Sequence, residues 1–388
     1  MTIYRFRAHA LTPVHIGSGW EIDPTEFTIH ENQLLHFSPT RVLNSLGTED
    51  AGRLVRLLSD ANLNTLQSFL RSHLDPENHG IEKIDVSKGF KDGFTLRASA
   101  PDSRFRVFMM PRNDHLGQVY MPGSSIKGAI RTAVVNHFAN IEPGTRNAVR
   151  EALRRAPDRD RAETLEASAL NRSKSQTERD VFRLVDVEDV ALPENSTRID
   201  RVVNVHPDRQ GPEGIQIWVE RMKARSESSQ PPSFSVALHI DTRAMEHERV
   251  RSLLGRTLDI DTIIKACNRF YWKRMVSEAE KFDGKSSPGD TTWKALYSLF
   301  PRGRKPDGDI VAIEPSKPYW CTTEKKRMLM RVGRFSHFES LSVDEHRQGW
   351  NVQARRPITD MGATRSRCVM ENGLPPMPFG WILLSLEE

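Results

Sequence analysis

Two helical stretches, each set among short stretches of alternating polarity, constrain the fold of this 388-residue chain more than any other feature. In the first, Ile126, Ala129, Ile130, Ala133, Val134 and Phe138 recur at the spacing that puts apolar residues on one helical face. A Pro-Gly turn precedes it, and Ser124 or Ser125 stands where a helix cap belongs. The second, Thr262 to Phe282, is amphipathic along its length. Around them YRFRAHALTPVHI, EFTIHENQLLHF (turning at Glu31-Asn32), FTLRA, RFRVFMM, FRLVDVEDV, RIDRVVNVH, GIQIWVE, SFSVALHI and FGWILLSLEE read as strands. Leu43 to Leu74 has helical spacing, and Thr145 to Arg183 reads as one or two solvated helices.

The order is therefore strands, helix, strands, and then the same again. It predicts an α+β fold of two units with antiparallel sheets, each in the ferredoxin-like βαββαβ arrangement. The chain length also favours two domains. The boundary is expected at or somewhat before the loop-like RMKARSESSQPP, giving one unit over 1–210, with a helical insertion at about 144–183, and a second over 211–388. SSPGD and PRGRKPDGD mark further breaks.

Composition matters here for what it excludes. There is no run of eighteen apolar residues, and the N-terminus lacks a charged start followed by an apolar core, so neither a membrane partner nor a secretory signal is expected. Cys267, Cys321 and Cys368 lie far apart without a CxxC, which argues against the usual structural zinc patterns and for a reduced, cytoplasmic setting. The net charge of +5 is small, but ten of the Lys and Arg residues fall between Lys325 and Arg367, against four acids. That concentration is compatible with a polyanion, but taken alone a solvated surface explains it better.

Four stretches are candidates for function. In PGSSIKGAIRTA the free N–H groups of a helix start attract an anion, Gly123 admits a close backbone, and Lys127 and Arg131, four apart, extend the positive charge. The spacing is not that of a nucleotide-hydrolysing loop, and a capped surface helix with two exposed cations fits the residues as well. In TPVHIGSG, Gly17, Ser18 and Gly19 form a turn after a strand, and His15 is a candidate general base or a plain strand-end histidine. In RVGRFSHFES, Gly333 and Arg334 suggest a close approach beside a guanidinium, while Phe335, His337 and Phe338 offer stacking faces or simply core. In GATRSRCVMENGLPPMPFGW, Arg365 and Arg367 precede a Gly/Pro loop and suit phosphates. HLDPENH has poor metal spacing, and the Asp186/Glu188/Asp189 acids sit on an expected strand. No metal or other cofactor is implied.

Taken in order, LTPVHIGSG, YMPGSSIKGAIRTA, FRLVDVEDV, RVGRFSHFES and PFGWILLSL resemble the RAMP proteins of type III CRISPR–Cas systems, over nearly the whole chain from Leu11 to Leu386. Within that family the resemblance is nearest to the subunits that cap the crRNA 3′ end in type III-A (Csm) effector complexes. It implies RRM-like ferredoxin folds and a role in crRNA binding, crRNA maturation and antiviral defence. The implied partners are crRNA, other RAMP subunits and a separate host or accessory nuclease. Carried over by position, it places Gly123, Ser124, Ser125, Lys127 and Arg131 at the RNA backbone. His15, Gly17, Ser18 and Gly19 fall in a neighbouring loop, and Gly333, Arg334 and His337 on the second half. Backbone-forming RAMP subunits cut target RNA with a loop aspartate, and no acid here stands in such a motif. RRM-type aromatic signatures are also missing. The expectation is a non-catalytic RNA-binding subunit; the alternative is a metal-independent repeat-RNA endoribonuclease with a histidine base.

Overall fold

The computed structural model describes residues 1–59, 63–75, 79, 81–97, 105–113, 117–208, 213–227, 232–282, 326–347, 349–351, 355–358, 361–371 and 376–387. The breaks expected at SSPGD and PRGRKPDGD, and Cys321, lie outside them.

The alternating strand Thr2–Ala10 is the centre of the first sheet. It pairs antiparallel with Ser233–Ile240 on one side and Trp381–Leu386 on the other. Val185–Val187 extends the sheet beyond Ser233–Ile240, and Arg327–Arg331 beyond Trp381–Leu386, giving five antiparallel strands. Helices Gly123–Ile141 and Ile260–Phe282 pack on each other and close the core over this sheet. Leaving aside the edge strand Arg327–Arg331, the chain runs strand, helix, strand, strand, helix, strand. Across the sheet the strands stand last, first, third, second, which is the ferredoxin-like arrangement expected.

Its extent differs from the expectation. One such unit runs from Thr2 to Leu386, so a division into 1–210 and 211–388 does not separate two bodies. The boundary itself is outside the described residues, yet Thr197–Val205 and Glu213–Met222 on its two sides are paired strands. The physical reason is that the first strand needs partners on both edges, and these come from beyond residue 232.

The second sheet is assembled from insertions. Its strands Glu21–Ile22, Val107–Phe108, Glu213–Met222, Thr197–Val205, Glu82–Val86, Gln33–His36 and Phe27–His30 follow one another in that order, with Arg365–Cys368 and Met377–Pro378 branching from Thr197–Val205. This sheet is mixed rather than antiparallel: Thr197–Val205 with Glu82–Val86, and Glu213–Met222 with Val107–Phe108, run parallel. Helices Pro39–Ser45, Thr48–Ser59 and Leu63–His73 form the expected helical stretch. FTLRA, expected as a strand, instead ends the helix Lys88–Arg97. Phe90 and Phe94, four apart, point one helical face at Phe27, Phe105 and Trp218, and that aromatic core outweighs the local strand preference.

Helices Pro143–Arg155 and Arg161–Ala169 occupy the expected charged insertion. The start of Gly123–Ile141 is pressed against the first sheet: a Cβ at Gly123 would stand 2.0 Å from the Val187 carbonyl oxygen. Gly123→Ala is therefore expected to push the helix off the strand and destabilise the protein by about 2–3 kcal/mol. The check is a urea unfolding midpoint that falls at unchanged slope.

Candidate nucleic-acid interface

Because the helix start abuts the strand, its first N–H is not open to a ligand. The Gly123 N–H donates to Asp189 Oδ1 at 2.7 Å. Pro122 occupies the cap position, and neither serine side chain caps the helix. An internal carboxylate thus fills the place where the sequence suggested a phosphate, as the positive end of a helix favours.

The two cations of this helix are also engaged. Arg131 donates to Asp180 Oδ2 at 2.6 Å and Oδ1 at 3.1 Å and to Glu166, and its guanidinium lies 4.8 Å from the Phe182 ring centroid. Burial works against its charge, but Asp180 and Glu166 more than compensate and raise its pKa. Lys127 Nζ lies 3.7 Å from Asp186 Oδ1. Neither belongs to the set Ser124, Ser125, Gly128, Ala129 and Thr132, which lines one groove together.

That set of small residues is one wall of a groove of about 750 Å³. The opposite walls are Ile16, Gly17 and Gly19 from the first motif and Arg331, Val332, Gly333, Arg334 and Ser336 from the third. Three stretches distant in sequence therefore meet at one site. Gly333 explains how: at φ +94°, it lets its loop approach so closely that a Cβ would stand 2.4 Å from the His15 carbonyl oxygen. The Arg334 N–H then donates to that same oxygen at 3.0 Å. The Arg334 side chain crosses Gly17 and sets its guanidinium 4.4 Å from the Phe108 ring centroid. It is exposed and makes no ion pair among the described residues, so its donors face the groove unengaged.

The other predicted residues build the site from beneath. Ser18 Oγ donates to the Met109 carbonyl at 2.8 Å and accepts from the Trp20 N–H, which shapes the turn before Gly19. His15 is buried, and burial, reinforced by Arg334, lowers its pKa to about 4. Its neutral ring donates from Nδ1 to the Glu220 carbonyl at 2.6 Å, leaving Nε2 without a partner among the described residues. Glu220 in turn accepts from Arg112 through both carboxylate oxygens, from the Met110 N–H and from Thr197 Oγ1, and so anchors the first motif to the second sheet. His337, with φ 62°, is held near pKa 3 by burial and by Arg331 and Arg365. Neither histidine is tuned to exchange protons near neutrality.

Arg365 and Arg367 differ most from expectation, since both are inside the protein. Their strand presents alternate residues inward, under the end of helix Ile260–Phe282. Arg365 donates to Glu339 Oε1 at 2.6 Å and lies 3.7 Å from Glu278; Arg331 donates to Glu278 Oε2 at 2.5 Å and to the Phe379 carbonyl at 3.0 Å. This buried network is the floor under the groove's third wall. Gly128, Thr132, Arg331 and Leu341 line the groove without having been expected there. The first two follow from continuing the helical period of Ser124 and Ser125, whereas Arg331 and Leu341 left no such trace. Among the described residues no group of three or more His, Cys, Asp or Glu is placed to hold a metal, and no helix is long and apolar enough to cross a membrane.

Comparison with known proteins places this geometry in context. A family model described as the RAMP superfamily matches residues 7–263. The CRISPR system Cms protein Csm5 of Streptococcus thermophilus is 29% identical over 132 residues, 32% of this chain and 36% of that protein, so the match spans about a third of the relative's length. A chain in the cryo-EM structure of a Csm–crRNA–target RNA ternary complex of a type III-A CRISPR–Cas system superposes with a TM-score of 0.65 at 19% identity, covering 100% of both chains. The crystal structure of T. onnurineus Csm5 gives 0.60 at 19% identity, over 97% of this chain and 99% of that one. At such identities the two structures establish a shared fold.

The buried network makes a pH prediction. Burial alone would raise the Glu278 pKa, but Arg331, Arg365 and Arg367 together pull it from 4.5 down to about 2. A depressed carboxylate pKa contributes stability above the unfolded value, and that contribution is lost as pH falls through the folded one. Glu278→Gln, which leaves the buried Arg331 guanidinium without its carboxylate, is expected to cost about 3–5 kcal/mol at neutral pH. Urea unfolding of both proteins across pH should show that gap narrowing from about pH 4.5 towards pH 2.

Proposed function

The chain belongs to the RAMP superfamily, and from that premise we propose that it is a crRNA-binding subunit of a type III-A CRISPR effector complex, capping the filament at the crRNA 3′ end. The observation that carries the reading is the convergence of the TPVHIGSG, PGSSIKGAIRTA and RVGRFSHFES stretches on one groove whose unengaged cation is Arg334. A wall of Ser, Gly, Ala and Thr lets a sugar–phosphate backbone lie against the helix without a side chain in the way. The groove offers hydroxyls and the Arg334 guanidinium, while Arg331 is paired with Glu278 and Glu21 lies 3.9 Å from Arg106; it has no set of base-reading amides, which suits backbone holding that is largely blind to sequence. The full coverage shared with a chain of a Csm–crRNA–target RNA complex supports the same reading. Other RAMP subunits and a separate trimming nuclease are then the protein partners, with the charged insertion of Pro143–Arg155 and Arg161–Ala169 as the surface for them.

The proposed subunit is non-catalytic. Its support is the state of the two candidate histidines: His15 is buried and fixed by Glu220, and both are held neutral far below physiological pH. Two experiments test these points. Arg334→Ala should weaken binding of short single-stranded RNA about ten-fold and reduce the salt dependence of log K by about 0.7. Lys127→Ala should change binding less, because its ammonium is paired and lies outside the groove. Separately, purified protein incubated with repeat RNA in EDTA should leave the RNA intact. Cleavage that disappears on His15→Ala would overturn the non-catalytic assignment.

A further inference from the structure

A second cavity, of about 350 Å³, opens beside the groove, between helix Gly123–Ile141, the two insertion helices and the segment 341–347. Thr132 and Leu341 line both cavities, so the two adjoin. Leu341 is the feature that demands explanation. At 69% exposed it is the most exposed large apolar side chain among the described residues, and it stands where the two cavities meet. A leucine held in water at a junction of cavities gains nothing from the fold itself.

Val135, Leu153, Leu165 and Val343 give the second cavity its apolar lining, beside Arg131, Glu166 and Arg347, whose charges are paired within the protein. Three further polar groups of the lining have capacity to spare. Arg161 gives one N–H to the Leu153 carbonyl at 2.9 Å and keeps others for a ligand. The Asp158 carboxylate is exposed and makes no ion pair among the described residues, and His346 Nε2 has no hydrogen-bond partner there. Apolar side chains together with unengaged donors and acceptors suit a heterocycle, and the volume lies in the roughly 300–1,000 Å³ range of small-ligand sites.

We infer that this cavity receives one unstacked nucleobase of a single strand lying in the groove, with Leu341 as the wedge that parts it from its neighbour. Apolar side chains inserted between bases act in this way elsewhere, and a single strand gives up the least stacking when one base turns out. Asp158 accepts from a base N–H, Arg161 donates to a ring or carbonyl acceptor, and the aliphatic walls cover the two faces. The inference rests on the groove holding RNA, and it adds a position at which the otherwise sequence-blind strand is set in register.

The test is an abasic scan: one base is removed at each position in turn along a short single-stranded RNA, and affinity for the full-length protein is measured. Affinity should fall about ten-fold at one position and little elsewhere. Ala162→Trp fills the cavity from its outer side without touching the groove. It should weaken intact RNA by a similar factor and flatten the scan. Leu341→Ala should abolish the fluorescence rise of 2-aminopurine placed at the sensitive position. A flat scan with wild-type protein whose binding still depends on Arg334 would overturn the base pocket and leave the groove reading standing. So would a flat scan in which Ala162→Trp impairs assembly with a partner protein, since the cavity would then hold a protein side chain. Binding indifferent to Arg334→Ala would instead remove the groove reading itself.

Discussion

The seating of Thr2–Ala10 between Ser233–Ile240 and Trp381–Leu386 is the constraint on which the rest depends. It joins the two ends of the chain in one antiparallel sheet and continues into the loop beyond. The Leu11 N–H donates to the Trp381 carbonyl at 2.8 Å, Thr12 Oγ1 accepts from the Trp381 N–H, and the Gly380 N–H donates to the Pro13 carbonyl at 2.8 Å. Val332 N–H donates to the Gly380 carbonyl at 2.9 Å, so the third motif is tied to the same point. Closing so long a loop adds only a logarithmic entropy cost, whereas the sheet it completes buries a large core. With the chain ends held together, the loops following the first strand and the strand Arg327–Arg331 have nowhere to go but against each other.

Charge inside the protein follows from that assembly. Arg221, Arg331, Arg365 and Arg367 are buried, and the first three are paired with carboxylates from other segments: Asp200 and Glu227, Glu278, and Glu339. An unpaired charge at such positions would be costly, so pairing is a condition of the fold rather than an ornament. The consequence for function is a sorting of cations. Those that find a carboxylate partner within the chain become structural, and Arg334, stacked on Phe108 and unpaired among the described residues, is left to face the groove. A chain of modest net charge can therefore leave an unpaired cation at one groove without presenting a basic surface everywhere.

Much was legible in the sequence. The apolar period of Ile126, Ile130, Ala133, Val134 and Phe138 specifies the central helix and its buried face, and alternation specifies Thr2–Ala10, because side-chain direction in each element depends only on local geometry. The ferredoxin-like arrangement was expected from the order of elements, although in two units rather than one from Thr2 to Leu386, and the family match over 7–263 agrees with the resemblance carried by the motifs. The Gly-rich turns at Gly17–Gly19 and Gly333 were visible as places where backbones come close, and they do line one groove.

What only the tertiary structure decided is which chemical groups remain free once the segments meet. Nothing near Arg131 in the chain indicates that Asp180 and Glu166 will claim it, that Asp189 will cap the helix at Gly123, or that Arg365 will turn inward to Glu339. Each of those partners arrives from 26 to 66 residues away, brought by pairing and packing that local residue patterns do not encode. Local periodicity determined most of the elements, the helix Lys88–Arg97 excepted, and the small-residue wall of the groove. Long-range ion pairing determined that its cation is Arg334.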